Sequence, residues 1–255
     1  VNAIVARNLC VTYPGLGVAL QDVNLNFPAG QITAILGPNG SGKTTLLHAL
    51  AGLVPRQCGQ VDIFGIPLEG YTRRSLGRAV GLVPQEERVA FEFTVLEYVL
   101  FGRAPYLGPL QAPGKRDTEI ACQALQQVGA LPLMSRRLPS LSGGERQLTV
   151  IARALAQNPR VLLLDEPAAH LDLSKHGPLR SLLRQLAEAG TAVAFTSHDP
   201  NFAASAADRL VLLRRGRVLA EGPLKATFRP GLLAETYGVS LRVLDVNGQP
   251  LLVES

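Results

Sequence analysis

The stretch ITAILGPNGSGKTTLLHAL, residues 32–50, changes character twice. Residues 32–36 form an apolar run of strand type, residues 37–44 read GPNGSGKT, and residues 45–50 take up an apolar helix period. This is the strand–GxxxxGK[ST]–helix order of a phosphate-binding loop. Its glycines let the backbone wind around a chain of phosphates with the N–H groups turned inward. Lys43 reaches the terminal phosphates, and the Thr44 hydroxyl is placed on Mg²⁺. A glycine-rich turn without a ligand has no need for such agreement between the residues and their flanks.

Outward from this loop, β-rich segments alternate with helix-period segments, the pattern of an α/β sheet covered by helices on both faces. Strands are expected over 3–12, 20–27, 31–36, 59–63, 80–83, 160–165, 191–197, 209–214 and 217–221. Several are almost wholly apolar, as buried parallel strands are. Between Gln85 and Asn158 the β signal disappears and helical periods take over, with Ile120, Ala124, Leu125 and Val128 on one face. The expected organisation is a nucleotide-binding core over 1–84 and 159–225, an inserted helical subdomain over 85–158 and a C-terminal extension over 226–255. GRAPYLGPLQAPGKRD, residues 102–117, reads as a long surface loop. Near the C-terminus two β-like runs flank Asn247 and Gly248, a hairpin signal.

The 255 residues are 47% hydrophobic and 18% charged, which excludes a disordered chain. Apolar runs such as 161–164 and 192–195 fall far short of the ~20 residues that span a bilayer. Arg7 sits inside an alternating segment, with no basic flank ahead of an apolar core, so no signal peptide is expected and the chain reads as cytosolic. A net charge of +5, basic residues without interleaved aromatics (Arg73, Arg74, Arg78, Arg136, Arg137) and no Trp argue against nucleic-acid binding. These arginines read as solvated faces. Cys10, Cys58 and Cys122, widely spaced and odd in number, read as small apolar residues rather than a disulfide or metal framework.

Further polar residues fall at strand ends, where an open α/β sheet binds its ligand. VLLLDEP, residues 161–167, ends a buried strand in two carboxylates: Asp165 to hold Mg²⁺, and Glu166 to polarise an attacking water and take its proton. FTSHD, residues 195–199, delivers His198 to the same edge, able to donate to a γ-phosphate. Gln85 follows strand 80–83, within reach of Mg²⁺ or the attacking water. LSGGE, residues 141–145, adds a second anion site, since glycines behind Ser142 expose N–H groups at a helix N-terminus.

With these residues in place the chain resembles an ATP-binding cassette (ABC) ATPase over nearly its whole length. The resemblance implies a P-loop core with an N-terminal antiparallel β region and the inserted helical subdomain. It also implies that ATP and Mg²⁺ are bound. Gly37, Pro38, Asn39, Gly40, Ser41, Gly42, Lys43, Thr44 and Thr45 become the Walker A loop, and Gln85 the Q-loop. Asp165 and Glu166 become the Walker B pair, Asp172 part of the D-loop, and His198 the switch histidine. Tyr13 fits the aromatic that stacks on adenine. Ser142, Gly143 and Gly144 belong to a signature that closes over the P-loop of a second copy, so each ATP is gripped by two chains. Ala168, Ala169 and His170 depart from the commonest pattern before the D-loop.

The family's DNA-repair members carry long insertions and its exporters are usually fused to membrane helices. Neither is seen here. The expected function is therefore the ATPase of an importer, a homodimer on the cytoplasmic face of the membrane bound to a multispanning permease and, through it, to a substrate-binding protein. FTVLEYVLFGRAPYLG, residues 93–108, and YGVSLRVLDVNGQPLLV, residues 237–253, are similar to importers of iron–siderophore complexes, haem and cobalamin. Zinc, manganese and molybdate importers, and exporters with a separate permease, are the alternatives. Phe91, Phe93 and Tyr106 are candidate permease contacts, while Leu96, Val99 and Leu100 have helical core spacing.

Overall fold

The computed structural model describes residues 1–15, 17–87, 91–246 and 249–254. In chain order, β1 (Asn2–Tyr13) and β2 (Gly17–Pro28) lead to β3 (Ile32–Leu36) and, across the glycine loop, to α1 (Lys43–Leu50). β4 (Cys58–Ile63), β5 (Ile66–Pro67), α2 (Arg73–Ala79) and β6 (Val80–Val83) follow. Three helices, α3 (Val95–Leu100), α4 (Lys115–Gln127) and α5 (Gly143–Ala156), stand before β7 (Val161–Leu164). Then come α6 (Leu173–Glu188), β8 (Ala192–Ser197), α7 (Pro200–Ala206), β9 (Arg209–Arg214) and β10 (Arg217–Pro223). The chain closes with α8 (Leu224–Thr227), α9 (Pro230–Tyr237), β11 (Leu241–Val246) and β12 (Gln249–Glu254).

A six-stranded sheet in the order β10-β9-β3-β8-β7-β6 forms the centre, parallel except for β10. Every residue of β3, β7 and β8 is buried, which explains their unbroken apolar character. A four-stranded antiparallel sheet, β2-β1-β4-β5, packs its alternating apolar face with α1 against one side of the centre, burying Ile4, Leu9, Phe27, Leu46 and Leu50. The other side is covered by α6 and α7 and continues into the core of α3, α4 and α5, where Val99, Ala124, Leu125 and Ile151 are buried. Leu96 and Leu100 pack against this core from partly buried positions.

Three expectations are corrected. Residues 102–117 are not a continuous surface loop, because 101–106 form a 3₁₀ helix in which Gly102 and Arg103 are buried. A Cβ on Gly102 would lie 2.1 Å from the Arg153 carbonyl, so only glycine permits this approach to α5. Arg103 then bonds the Ala156 carbonyl and Asp117, and the Tyr106 hydroxyl donates to the Gln157 carbonyl. Nor are all three cysteines separate. Cys10 and Cys58 face each other across the β1–β4 ladder and form a disulfide, while Cys122 is free. Antiparallel pairing brings together residues that look unrelated along the chain. The exposed arginines are likewise more than solvated faces: Arg74 and Arg78 donate to the carbonyls of Leu107 and Pro105, and Arg136 and Arg137 hold Glu145 and Glu92.

β11 and β12 pair antiparallel, with Asn247 and Gly248 outside the described residues. No helix among the described residues is long and apolar enough to cross a membrane.

Candidate functional site

The carboxyl edge of the parallel sheet opens into a cleft of about 870 Å³ lined by Tyr13, Ser41, Lys43, Thr44, Gln85, Glu166 and His198 among others. The loop between β3 and α1 forms its floor. Gly40 and Gly42 have φ of 74° and 104°, values at which a side chain is strained. Gly37 is fixed for a different reason, since a Cβ there would sit 2.1 Å from the Leu213 carbonyl oxygen on β9. Lys43 Nζ donates to the carbonyls of Gly37 (2.8 Å) and Pro38 (3.2 Å), and so curls the loop around its own ammonium. Burial pushes the Lys43 pKa down, against the opposing pull of the Glu166 and Asp165 charges.

The opposite wall comes from the ends of β7 and β8. Asp165 is 2% exposed, and the Thr196 hydroxyl donates to its Oδ1 while accepting the Glu166 backbone N–H at 2.8 Å. One hydroxyl thus aligns both carboxylate residues. Glu166 has φ 48°, a left-handed conformation that a glutamate adopts only when its surroundings impose it. Its Oε2 lies 2.7 Å from His198 Nδ1, and the imidazole is 60% exposed toward the cleft. No motif marks Thr196; its one signal along the chain is a hydroxyl at the buried end of a mostly apolar strand.

The cleft fits a nucleotide and its metal. Ser41 Oγ is buried with no hydrogen-bond partner among the described residues, at the place where a phosphate oxygen supplies one. The oxygen donors Thr44, Gln85 and Asp165 suit a hard cation such as Mg²⁺. No group of three or more His, Cys, Asp and Glu placed to hold a metal exists among the described residues. Another cavity, about 550 Å³, opens among Arg103, Tyr106, Arg116 and Leu186, but Arg103 there is already committed to Asp117 and Ala156.

Ser142, Gly143 and Gly144 are not brought to this cleft. Ser142 caps α5 in a capping box: its hydroxyl accepts the Glu145 N–H, and Glu145 Oε2 accepts the Ser142 N–H at 2.9 Å. Those bonds, first the Ser142 N–H and then the Arg136 charge, hold the Glu145 carboxyl below its usual pKa. Ser142 and Gly144 line a separate hollow with Asp172 and Lys175. Ala168 and Ala169 form the turn after Glu166, with the Ala169 N–H donating to the Glu166 carbonyl at 3.1 Å.

Two residues beyond Gln85, Glu87 accepts from the Tyr98 hydroxyl (2.6 Å) and from Arg153 (2.8 Å), joining the end of β6 to α3 and α5. Beside this tie, Phe91, Phe93 and Phe101 form an aromatic run with centroid spacings of 5.7 and 5.0 Å. Phe91 is 69% and Phe101 47% exposed. Tyr106, by contrast, is held between Arg78 and Arg103.

Comparison with known proteins agrees with this geometry. A family model described as ABC transporter matches residues 20–169, and an AAA-domain model matches residues 135–204. A hemin import ATP-binding protein of Gloeobacter violaceus is 39% identical over 90% of this chain and 88% of its own. A manganese transport system ATP-binding protein of Listeria monocytogenes is 37% identical over 87% of this chain and 90% of its own. Among solved structures, a metal-chelate type ABC transporter in an inward-facing conformation superposes with TM-score 0.84 at 30% identity, covering 99% of this chain and 96% of that one. A dimeric bacterial ABC transporter cassette gives TM-score 0.78 at 32% identity, covering 87% and 98%. A glycine loop, a strand-end carboxylate pair and a helical insertion, matched over more than half the chain by one family model, mean that this chain belongs to the ABC transporter family as one of its ATP-hydrolysing cassettes.

Proposed function

We propose that this chain is the ATPase subunit of an importer for a metal chelate, such as an iron–siderophore, haem or cobalamin, acting as a homodimer against a membrane permease. The observation that carries the reading is coverage. The metal-chelate type transporter matches 99% of the chain, C-terminal extension included, whereas the dimeric cassette matches 87%. In this reading the Walker A residues and Tyr13 hold ATP, with Thr44, Asp165 and Gln85 around Mg²⁺. The bound cation supplies charge neutralisation on the β- and γ-phosphates. Glu166 takes the proton of the attacking water as the bond from the γ-phosphorus to ADP breaks. His198, already hydrogen-bonded to Glu166, donates to the γ-phosphate. Ser142, Gly143 and Gly144 of a second copy complete the site. That explains why they stand apart from the P-loop in one chain.

The exposed Phe91 and Phe101 beside the Gln85 segment are the proposed seat of a short cytoplasmic helix of the permease, with the subunit on the inner face of the membrane. A second reading, manganese import, is favoured by the 37% identity of the Listeria relative. Affinity capture from native membranes with the Glu166→Gln protein tests both. Recovery of a multispanning permease with a chelate-binding protein supports the first reading. A permease with a manganese-binding protein supports the second, and a soluble DNA-bound complex overturns both.

A further inference from the structure

The C-terminal extension ends α9 directly behind the phosphate loop. Arg214, at the end of β9, donates from its guanidinium to the Glu235 carbonyl of α9. Gly238 caps α9 at φ 75°, where a Cβ would lie 3.6 Å from the Arg214 guanidinium. The neighbouring Leu213 carbonyl is the atom against which Gly37 is packed. α9, the end of β9 and the first residue of the phosphate loop therefore form one continuous stack.

Tyr237, the last residue of α9, stands inside it. Its ring packs against the main core and its hydroxyl is buried, with no hydrogen bond of ordinary geometry to any described residue. The Gly37 peptide N–H lies toward this hydroxyl, and the Asp199 and Glu166 charges act on it through space. Burial, reinforced by the two carboxylates, pushes the phenol pKa far up, so the group stays protonated and can both donate and accept. An unpartnered buried hydroxyl is rare enough to need an explanation. Here the candidate partner is the Gly37 peptide of the phosphate loop. Gly37 also presents its carbonyl to Lys43, so one residue links the loop's ammonium to the tyrosine behind it. A second tie runs beside the first: the Asn201 side chain bonds the backbone of Leu252 in both directions (3.2 and 2.7 Å), while its N–H donates to Asp199 Oδ1 at 2.8 Å.

We propose that Tyr237 is a positioning residue for ATP hydrolysis, its buried hydroxyl backing the Gly37 peptide and holding the phosphate loop in register with the strand ends that carry Glu166 and Asp199. The inference rests on the roles proposed above for Lys43 and Glu166. It gives the C-terminal extension a task inside the nucleotide site. When the loop tightens on phosphates, the hydroxyl accepts the Gly37 N–H, and so gains the partner it lacks.

The test uses the full chain with Tyr237→Phe, which keeps the ring, and Tyr237→Leu, which does not. Steady-state phosphate release, equilibrium ATP binding and thermal melting are measured for each. Tyr237→Phe is expected to lower kcat about three- to tenfold, one hydrogen bond's worth of orientation, with ATP Kd within about twofold of the parent and melting unchanged. A purely structural role moves melting and binding together and leaves no isolated loss of kcat. If Tyr237→Phe keeps the parental kcat and only Tyr237→Leu loses it, ring packing explains the residue and the proposal is overturned. A proportional rise in Kd with the fall in kcat overturns it as well. Glu166→Gln, assayed in parallel, tests the underlying reading separately: normal turnover there removes the proposed site whatever Tyr237 does.

Discussion

Two helix N-termini in this chain are the proposed anion sites, and their surroundings differ. α1 follows a loop that meets polar groups from the ends of β6, β7 and β8 in one cleft, so Lys43, Gln85, Glu166 and His198 converge. α5 begins in a smaller hollow, about 240 Å³, with Ser142 and Glu145 occupied in capping each other. The first site can hold a polyphosphate by itself, whereas the second offers backbone donors and no general base. The difference shows that a sheet edge can assemble a complete reaction centre, while an isolated helix terminus contributes half of one and waits for another surface.

The largest effect that separates the two is expected at Glu166. Glu166→Gln removes the proton acceptor and leaves the phosphate loop intact, so turnover falls by about 10²–10⁴-fold while ATP binding survives. Phosphate release against equilibrium binding measures the split, and a variant with parental turnover breaks the comparison at its stronger side. Lys43→Ala acts on binding itself. Losing a charged donor that also curls the loop around Gly37 and Pro38 should weaken ATP binding by about a hundredfold, read by titration with a fluorescent nucleotide.

Ser142→Arg probes the other side. The substitution fills the surface that must meet a second copy, so monomer binding should persist while turnover drops about tenfold and the ATP-dependent dimer disappears from size-exclusion profiles. Parental turnover from a strictly monomeric protein would remove the shared-site reading.

What could be read along the chain was whatever is local. The glycine loop, the Asp165–Glu166 pair and His198 each follow an apolar strand directly, and nine expected strands appear within about three residues of their places. What could not be read depends on register and packing between distant segments. Cys10 meets Cys58 only through the antiparallel β1–β4 ladder, and α9 comes to the strand that backs Gly37 only because it docks at the end of β9. The Pro- and Gly-rich run at residues 102–117 was taken for a surface loop because turn residues say nothing of Arg103, whose buried guanidinium binds the end of α5. Thr196 was hidden by its neighbours, since a hydroxyl in a mostly apolar strand declares its partners only once β7 and β8 lie side by side.

The smallest expected effect concerns what holds the second site in place. α5 is tied to the 3₁₀ helix and to α4 through Arg103, which donates to the Ala156 carbonyl at 2.8 Å and pairs with Asp117 at 3.0 Å. The Arg103 bond, then the Gly114 N–H, holds the Asp117 carboxyl below its ordinary pKa. A carboxyl depressed in the folded state contributes stability that is present above its unfolded value of about 3.9 and lost as pH falls through the folded value. Asp117→Asn keeps an oxygen for the Gly114 N–H and removes both the charge and the acceptor for Arg103 Nε. It should cost about 1–2 kcal/mol in urea unfolding at neutral pH, and the difference from the parent should shrink in acid. ATP affinity should stay within about twofold, because α1 and its loop are built on β3 and β9, away from this tie. If affinity weakens as much as stability does, the two anion sites are one cooperative unit and the contrast between them fails.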